Sequence, residues 1–452
     1  MSRTVSIKEI LDTSPFSPYQ VWVCFLCFCI MFLEGFDLMV IGVALPKIAD
    51  FLHSKPSALG LAISAGQVGP LIGAIVLGMV ADRWGRKRTL IVSAIIFGIF
   101  TLMTAYITSV GQLALLRFLA GIGLGGTIPN ALAFGSEYAP TKKRATLATT
   151  MYAGVAVGSI TVGFLAAYLL PNHGWQSLFF LGGTLPIIIG LLLMFLLPET
   201  LDFLARRGKD KEQVRRIVSR IAPALGRDEG VEFYSTEKKL PGAPVKHLFR
   251  EGRAFTTIML WLAFLASFFL LWIILAWAPT LLRKSGASPQ QYSIAFACIN
   301  IGSLIATLLI GRLMDKINPF NILKVAFILA FISVAAFGLF STSAFMVIAI
   351  LCVVMGFFVI GGNSGLMGLA TVSYPSEIRG SGIGWAYGVG KIGSLLAPAV
   401  GGFLLAQNWS VTQICNTNAL VALLVTAIII ILHRHLKNTS AKNANVAGAA
   451  AK

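Results

Sequence analysis

Twelve stretches of this chain each carry about twenty mostly apolar residues, and nothing else in it narrows the possible folds so far. They lie near 19–45, 57–81, 89–107, 110–136, 145–170 and 175–197, and then near 254–282, 290–314, 320–341, 343–371, 381–406 and 411–433. An α-helix needs about that length to cross the roughly 30 Å hydrocarbon layer of a bilayer. Within lipid, only helices and closed barrels satisfy their own backbone hydrogen bonds. Just 12% of the 452 residues are charged, against about a quarter in soluble proteins. The chain therefore reads as an all-α polytopic membrane protein with twelve transmembrane helices. Its expected parts are an N-terminus over 1–18, a six-helix bundle over 19–197 and a linker over 198–253 with a surface helix near 209–220. A second bundle over 254–435 follows, then a disordered tail over 436–452. No cleavable signal is expected, because the first apolar run is too long and lacks a small-residue cleavage site.

The formal net charge of +18 would suggest nucleic acid if it formed one patch. It does not. Most of the Lys and Arg fall in alternate loops, including Arg83, Arg86, Lys87, Arg88, Lys142, Lys143 and Arg144, the 198–253 stretch and the C-terminal tail. The opposite loops hold only Lys47, Lys55, Arg283 and Lys284. Such asymmetry orients a membrane protein with its basic loops inside, so both termini are expected in the cytoplasm and the location is a bacterial-type inner (plasma) membrane. Nucleic acid is excluded as a partner; the lipid bilayer is implied. Cys24-x-x-Cys27-x-Cys29 has no His or carboxylate at ligand spacing, and thiols pack as small apolar groups, so no metal and no cofactor is expected.

The two sets of six spans repeat one another. Gly78-x-x-x-Asp82-Arg83 returns as Gly311-x-x-x-Asp315-Lys316, 233 residues on. Arg144, Tyr152, Gly158 and Ser159 return as Arg379, Tyr387, Gly393 and Ser394, each 235 residues on. Two parallel six-helix repeats with a site between them near the midplane form one large architecture of secondary transporters.

Charges inside the spans mark candidate sites, because each is costly in lipid. Glu34-Gly35-Phe36-Asp37 places two acids three residues apart, on one helical face. Arg117 begins Arg117-Phe-Leu-Ala-Gly121-Ile-Gly123-Leu-Gly125, whose glycines permit close helix approach. At about 1.5 Å of rise per residue, Asp37 and Arg117 both lie roughly 10–12 Å below the outer surface, so the two can pair; the rival reading is a purely structural ion pair. Lys391, within Tyr387-Gly-Val-Gly-Lys391, lies too deep to snorkel comfortably. It suits an anionic substrate, or else serves a membrane acid. Arg379 sits at the inner mouth, as anchor or on the substrate path. Trp272, Trp277, Trp385, Tyr152, Tyr387, Asn300, Asn363 and Gln67 supply rings and amides for a flat, partly apolar anion.

Gly78-Met-Val-Ala-Asp82-Arg83-Trp-Gly85-Arg86-Lys87-Arg88 joins spans two and three and resembles the signature loop of the major facilitator superfamily. The resemblance implies the major facilitator fold. Asp82 can accept from backbone donors at a helix start, and Arg86 can reach a carboxylate at the inner end of span four, for which Glu137 is the candidate. Asp82, Arg83, Arg86, Glu137, Arg144 and the repeat's Asp315 form the expected gating set. Antiporters of this superfamily carry Gly-Pro in span five; here Ser159 follows Gly158, which favours symport. Pro198-Glu199-Thr200 lacks the rest of the sugar-porter pattern. The opening acids, Arg117 to Gly125, Pro129-Asn130-Ala131, Ser136-Glu137-Tyr138-Ala139-Pro140 and Arg144-Ala145-Thr146 together resemble the aromatic acid:proton symporter family. Glu34 replaces that family's usual first aspartate, and Lys391 its usual arginine.

The resemblance implies that Glu34 and Asp37 are proton or coupling acids, that Arg117 and Glu137 couple or gate, and that Lys391 and Arg379 contact a substrate carboxylate. Tyr152, Tyr387 and Asn363 join them as substrate-binding candidates. The expected function is proton-coupled uptake of a benzoate- or hydroxybenzoate-like acid by alternating access, with the anion and protons as partners and the protein a monomer. The alternative keeps the fold and carries a muconate- or quinate-like acid or a drug-like anion. An enzyme is not expected: His53, His173, His247, His433 and His435 all lie in loops or at span ends. A membrane sensor would need a signalling domain that 198–253 is too short to hold.

Overall fold

The computed structural model describes residues 3–207, 211–226, 231–234, 245–250, 252–374 and 378–450. In chain order these are β1 (Arg3–Ser6), α1 (Ile7–Thr13), α2 (Pro18–Phe51), α3 (Pro56–Trp84), α4 (Arg86–Thr104), α5 (Val110–Gly125), α6 (Thr127–Glu137), α7 (Arg144–Asn172) and α8 (Gln176–Leu196). Then come α9 (Leu201–Arg207), α10 (Lys211–Ile221), α11 (Pro223–Gly226), β2 (Val231–Tyr234), α12 (Ala254–Lys284), α13 (Pro289–Lys316), α14 (Pro319–Leu339), α15 (Phe345–Ser373), α16 (Arg379–Ala406) and α17 (Val411–Ala450). Among the described residues twelve spans are long and apolar enough to cross a membrane, α5 and α6 forming one. The protein is a multi-pass membrane protein of two six-helix repeats.

The break between α5 and α6 follows from Pro129, whose ring clashes with the carbonyl four residues earlier and which offers no N–H. Extra donors gather at the break: Asn130 Nδ2 donates to Gly126 O at 2.6 Å, and Gly123 O accepts from both Thr127 Oγ1 and Gly126 N at 3.2 Å.

The chain forms two compact units. The first comprises Met1–Ile41, Ala65–Leu165 and Asn172–Leu240; the second comprises Gly42–Ser64, Ala166–Pro171 and Pro241–Lys452. Inside each unit the same helix crossings occur. A Cβ on Gly158 of α7 would fall on the Phe32 carbonyl of α2, and one on Gly393 of α16 would fall on the Leu265 carbonyl of α12. Gly121 of α5 meets the Gly66 carbonyl of α3 as Gly356 of α15 meets that of Ile299 in α13. In both cases partner matches partner at the 233- and 235-residue offsets of the motifs. Likewise α4 packs on α8, and α14 on α17.

The first unit carries a folded cap. Val214, Ile217, Val218 and Ile221 recur at helical spacing, and α10 buries that stripe against Val5, Ile7, Ile10 and Leu11 of β1 and α1, with Val231 of β2 and Leu201 and Leu204 of α9. The strands β1 and β2 pair in parallel, Arg3 opposite Val231 and Ser6 opposite Tyr234. Asp12 then ties α1 to the chain between α6 and α7, accepting from Thr141 N at 2.6 Å and from Thr141 Oγ1 at 2.8 Å. These donors hold its carboxyl below the ordinary carboxylate range. The N-terminus and the middle stretch, expected to be separate polar segments, thus share one core, which continues into the first bundle through Leu26, Leu90, Phe134 and Tyr138.

At the other end α17 runs on through Ala450, where the composition suggests a disordered tail. Extending a helix needs no new nucleus, and Ala and Lys are strong helix formers.

Candidate functional site

Asp37 and Arg117 are 2% and 7% exposed, deep within α2 and α5, and they pair. Arg117 Nη1 lies 3.3 Å from each Asp37 carboxylate oxygen. Two groups from α4, Thr101 and Thr104, complete the cluster. Thr101 Oγ1 donates to Asp37 Oδ1 at 2.5 Å, while Arg117 Nη2 donates to Thr101 Oγ1 at 2.8 Å and to Thr104 Oγ1 at 3.1 Å. The Phe179 ring of α8 faces the guanidinium at 5.4 Å. A Cβ added at Gly66 would lie 3.1 Å from the Arg117 Cβ, so that position has little room for a side chain.

Glu34 is buried one turn before Asp37. Between them Gly35 is needed for close approach, since a Cβ there would overlap the Val155 carbonyl of α7. Ser159, in the position where a proline would signal antiport, places its Oγ 2.8 Å from Val155 O and 3.1 Å from Gly35 O. The hydroxyl therefore sits on the backbone of the acid-bearing turn.

Arg86 forms an ion pair with Glu137, whose side chain is 4% exposed. Next in this region is Glu199, which the sequence offers only as part of an incomplete motif. Its Oε1 accepts from Lys87 N at 3.1 Å and from Thr200 N at 3.0 Å, and its carbonyl accepts from Tyr138 Oη at 2.7 Å. A carboxylate thus caps the start of α4, where unsatisfied N–H groups and the helix dipole favour negative charge. Burial pushes the Glu199 carboxyl above its ordinary range, against the pull of these donors. Gly85 turns with a φ of 99° into the space beside Glu199, which only a glycine fits. Arg83 is exposed and Arg144 half-buried. The side chains of Asp82, Asp315 and Arg379 lie outside the described residues, although their backbones belong to α3, α13 and α16.

In the second unit Lys391 of α16 is half-buried, its Nζ 5.3 Å from the centre of the Tyr387 ring and 5.9 Å from that of Phe268. The two rings meet edge to face at 5.2 Å. Ser267, next to Phe268 in α12, accepts from Asn363 Nδ2 at 3.1 Å. Lys391, Tyr387 and Asn363 thus converge on one turn of α12. Ring faces attract an ammonium without supplying a counter-charge, which leaves its charge available to an anion. Other candidates serve the scaffold: Trp277 donates to Pro398 O, and Asn300 to Phe296 O of its own helix. Tyr152 is 44% exposed. Among the described residues no group of three His, Cys, Asp or Glu could hold a metal ion.

A duplicated six-helix scaffold with a buried acid–arginine cluster in one repeat and a ring-held lysine in the other defines a membrane transporter. The chain belongs to the Major Facilitator Superfamily, whose family model matches residues 27–398 and 286–451. It is 36% identical over 421 residues to the 4-hydroxybenzoate transporter PcaK of Acinetobacter baylyi, covering 91% of each chain. It is also 32% identical to the benzoate transport protein of the same organism, covering 90% of this chain and 88% of the relative. Among solved structures, a D-xylose-proton symporter superposes with a TM-score of 0.72 at 16% identity, over 92% of this chain and 97% of the other, which speaks to the fold alone. Members of this family are transporters rather than enzymes.

Proposed function

We propose that the protein takes up an aromatic carboxylate, benzoate- or 4-hydroxybenzoate-like, together with protons, by alternating access of its two repeats. The observation that carries the reading is Lys391 presented between two aromatic rings in a carrier related to proteins named for aromatic acids. A carboxylate meets the ammonium, and the substrate ring meets Phe268 and Tyr387. Asp37, paired with Arg117 and hydrogen-bonded by Thr101, is the proton-coupling acid, with Glu34 beside it. Arg86–Glu137, together with Asp82, Arg83, Arg144 and Asp315, gates the pathway, and Arg379 lies on it. The protein works as a monomer in the inner membrane with both termini in the cytoplasm.

The test is uptake of labelled 4-hydroxybenzoate into vesicles under an imposed pH gradient, with benzoate, muconate and quinate as competitors. Gradient-driven accumulation that benzoate suppresses and the two non-aromatic acids leave intact is the expected result. Equal competition by muconate overturns the aromatic assignment, and accumulation indifferent to the gradient overturns symport.

A further inference from the structure

The Asp37–Arg117 pair is held together by a third residue. The direct contacts, at 3.3 Å, exceed the roughly 2.7–2.9 Å of good charge-assisted hydrogen bonds. The short contacts in the cluster pass through Thr101, at 2.5 Å to Asp37 and 2.8 Å to Arg117. Thr101 is completely buried, so no solvent competes for its hydroxyl.

A hydroxyl has one hydrogen and two lone pairs. Arg117 donates into one lone pair of Thr101, and the hydrogen goes to Asp37. Thr104 differs: its hydrogen is taken by Phe100 O, four residues back in its own helix, at 2.8 Å. It therefore accepts from Arg117 and makes no contact with the acid. When Asp37 binds a proton on the oxygen facing Thr101, that oxygen turns from acceptor to donor and the bond must reverse or break. Arg117 can only donate and cannot follow such a change. Thr101 can, because a helical threonine has a carbonyl four residues back to bond, as Thr104 already does. Glu34 lies one turn back on the same helix, and Ser159 of α7 donates to the Gly35 carbonyl between the two acids. Among the described contacts of the cluster, Thr101 is the one that joins acid and base through a reversible donor.

We infer that Thr101 is a positioning residue for proton coupling, its hydroxyl sensing whether Asp37 carries a proton and relaying that state to Arg117. The inference rests on the symport reading above and adds the residue through which the proton acts. Without the hydroxyl, the acid and the arginine keep only their long direct contacts, and the arginine's position no longer follows the charge of the acid. Substrate can still exchange across the membrane, but its movement is uncoupled from the proton.

The experiment uses the full-length protein in vesicles and labelled 4-hydroxybenzoate. It compares exchange against unlabelled internal substrate with accumulation driven by a pH gradient. Thr101→Val is expected to keep exchange near the wild-type rate and to lose at least about tenfold in driven accumulation, the size of one hydrogen bond to a charged group. Thr101→Ser is expected to restore accumulation. A valine variant that loses exchange and accumulation in proportion has a structural defect, and that result overturns the inference. So does a valine variant that accumulates like wild type. Wild-type protein that exchanges but ignores the gradient overturns the symport reading and this inference together, which separates the two failures.

Discussion

The two repeats are alike in their helix crossings and unlike in their polar chemistry. Gly158 and Gly393 sit on matching carbonyls, as do Gly121 and Gly356. Yet the positions matching Asp37 and Arg117 in the second repeat are Leu270 and Cys352, and the position matching Lys391 in the first is Ala156. Close backbone approach is a property of the scaffold and survives in both copies. Charge within a span is expensive wherever it stands, and the two repeats differ in which charges they keep: a paired acid and arginine in one, a ring-held ammonium in the other.

The largest effect is expected from separating the acid from its base. Asp37→Asn or Arg117→Gln leaves the opposite charge buried and unpaired, at about 3–5 kcal/mol. Driven uptake should fall at least a hundredfold, and the detergent-solubilised protein should melt earlier. Asp37→Leu combined with Arg117→Cys installs the second repeat's own residues. That double variant should melt higher than either single variant while remaining inactive. If it transports, the charges are merely structural.

A matched pair of crossing variants tests the shared scaffold. Gly158→Val and Gly393→Val each force a side chain into a backbone contact, at a cost of roughly 1–3 kcal/mol or more. The two should lower the melting temperature by similar amounts, and a large asymmetry would show that the repeats do not share this crossing in solution. Lys391→Ala, which copies the first repeat, should raise the half-saturating concentration of 4-hydroxybenzoate about tenfold or more, a change of ~1.4 kcal/mol, with melting little altered. An unchanged half-saturating concentration would remove Lys391 from the anion site.

Smaller effects belong to the cap. Thr141 holds Asp12 below the ordinary carboxylate value, so the contact stabilises the folded state above about pH 4 and is lost as pH falls through the lowered value. Melting curves of wild type and Asp12→Asn should differ modestly at neutral pH and converge in acid; divergence there would reverse the assignment. Lys211→Ala removes a solvent-exposed pair with Glu232 and should leave melting unchanged, as exposed pairs contribute little.

What could be read in the sequence depended on whether a residue's position carried a cost. In lipid, distance along a span becomes depth, so the pairing of Asp37 with Arg117 followed from counting residues, and that of Arg86 with Glu137 from their common end of the bundle. Thr101 and Thr104 left no such mark. A neutral hydroxyl can always bond its own helix, so its presence in a span implies nothing about partners. Lys391 was visible as a charge, but Phe268 was one phenylalanine among 31. Glu199 looked like a fragment of a motif, because its role depends on the start of α4, over a hundred residues earlier. The cap was least legible: two four-residue strands more than two hundred residues apart show no period that links them.

The partner of β1 lies at Val231–Tyr234, just before the first unit ends at Leu240 and well before the first span of the second repeat at Ala254. A growing chain therefore cannot complete the cap until its first six spans have been made. Once β2 leaves the ribosome, residues 3–6 have the edge they need, and the emerging strand closes a loop of more than two hundred residues. Because closure entropy grows only logarithmically with length, the distance is a small penalty beside the core that α10 brings with it. In biogenesis, then, the strand pair marks the moment when the first repeat can be completed, ahead of the second.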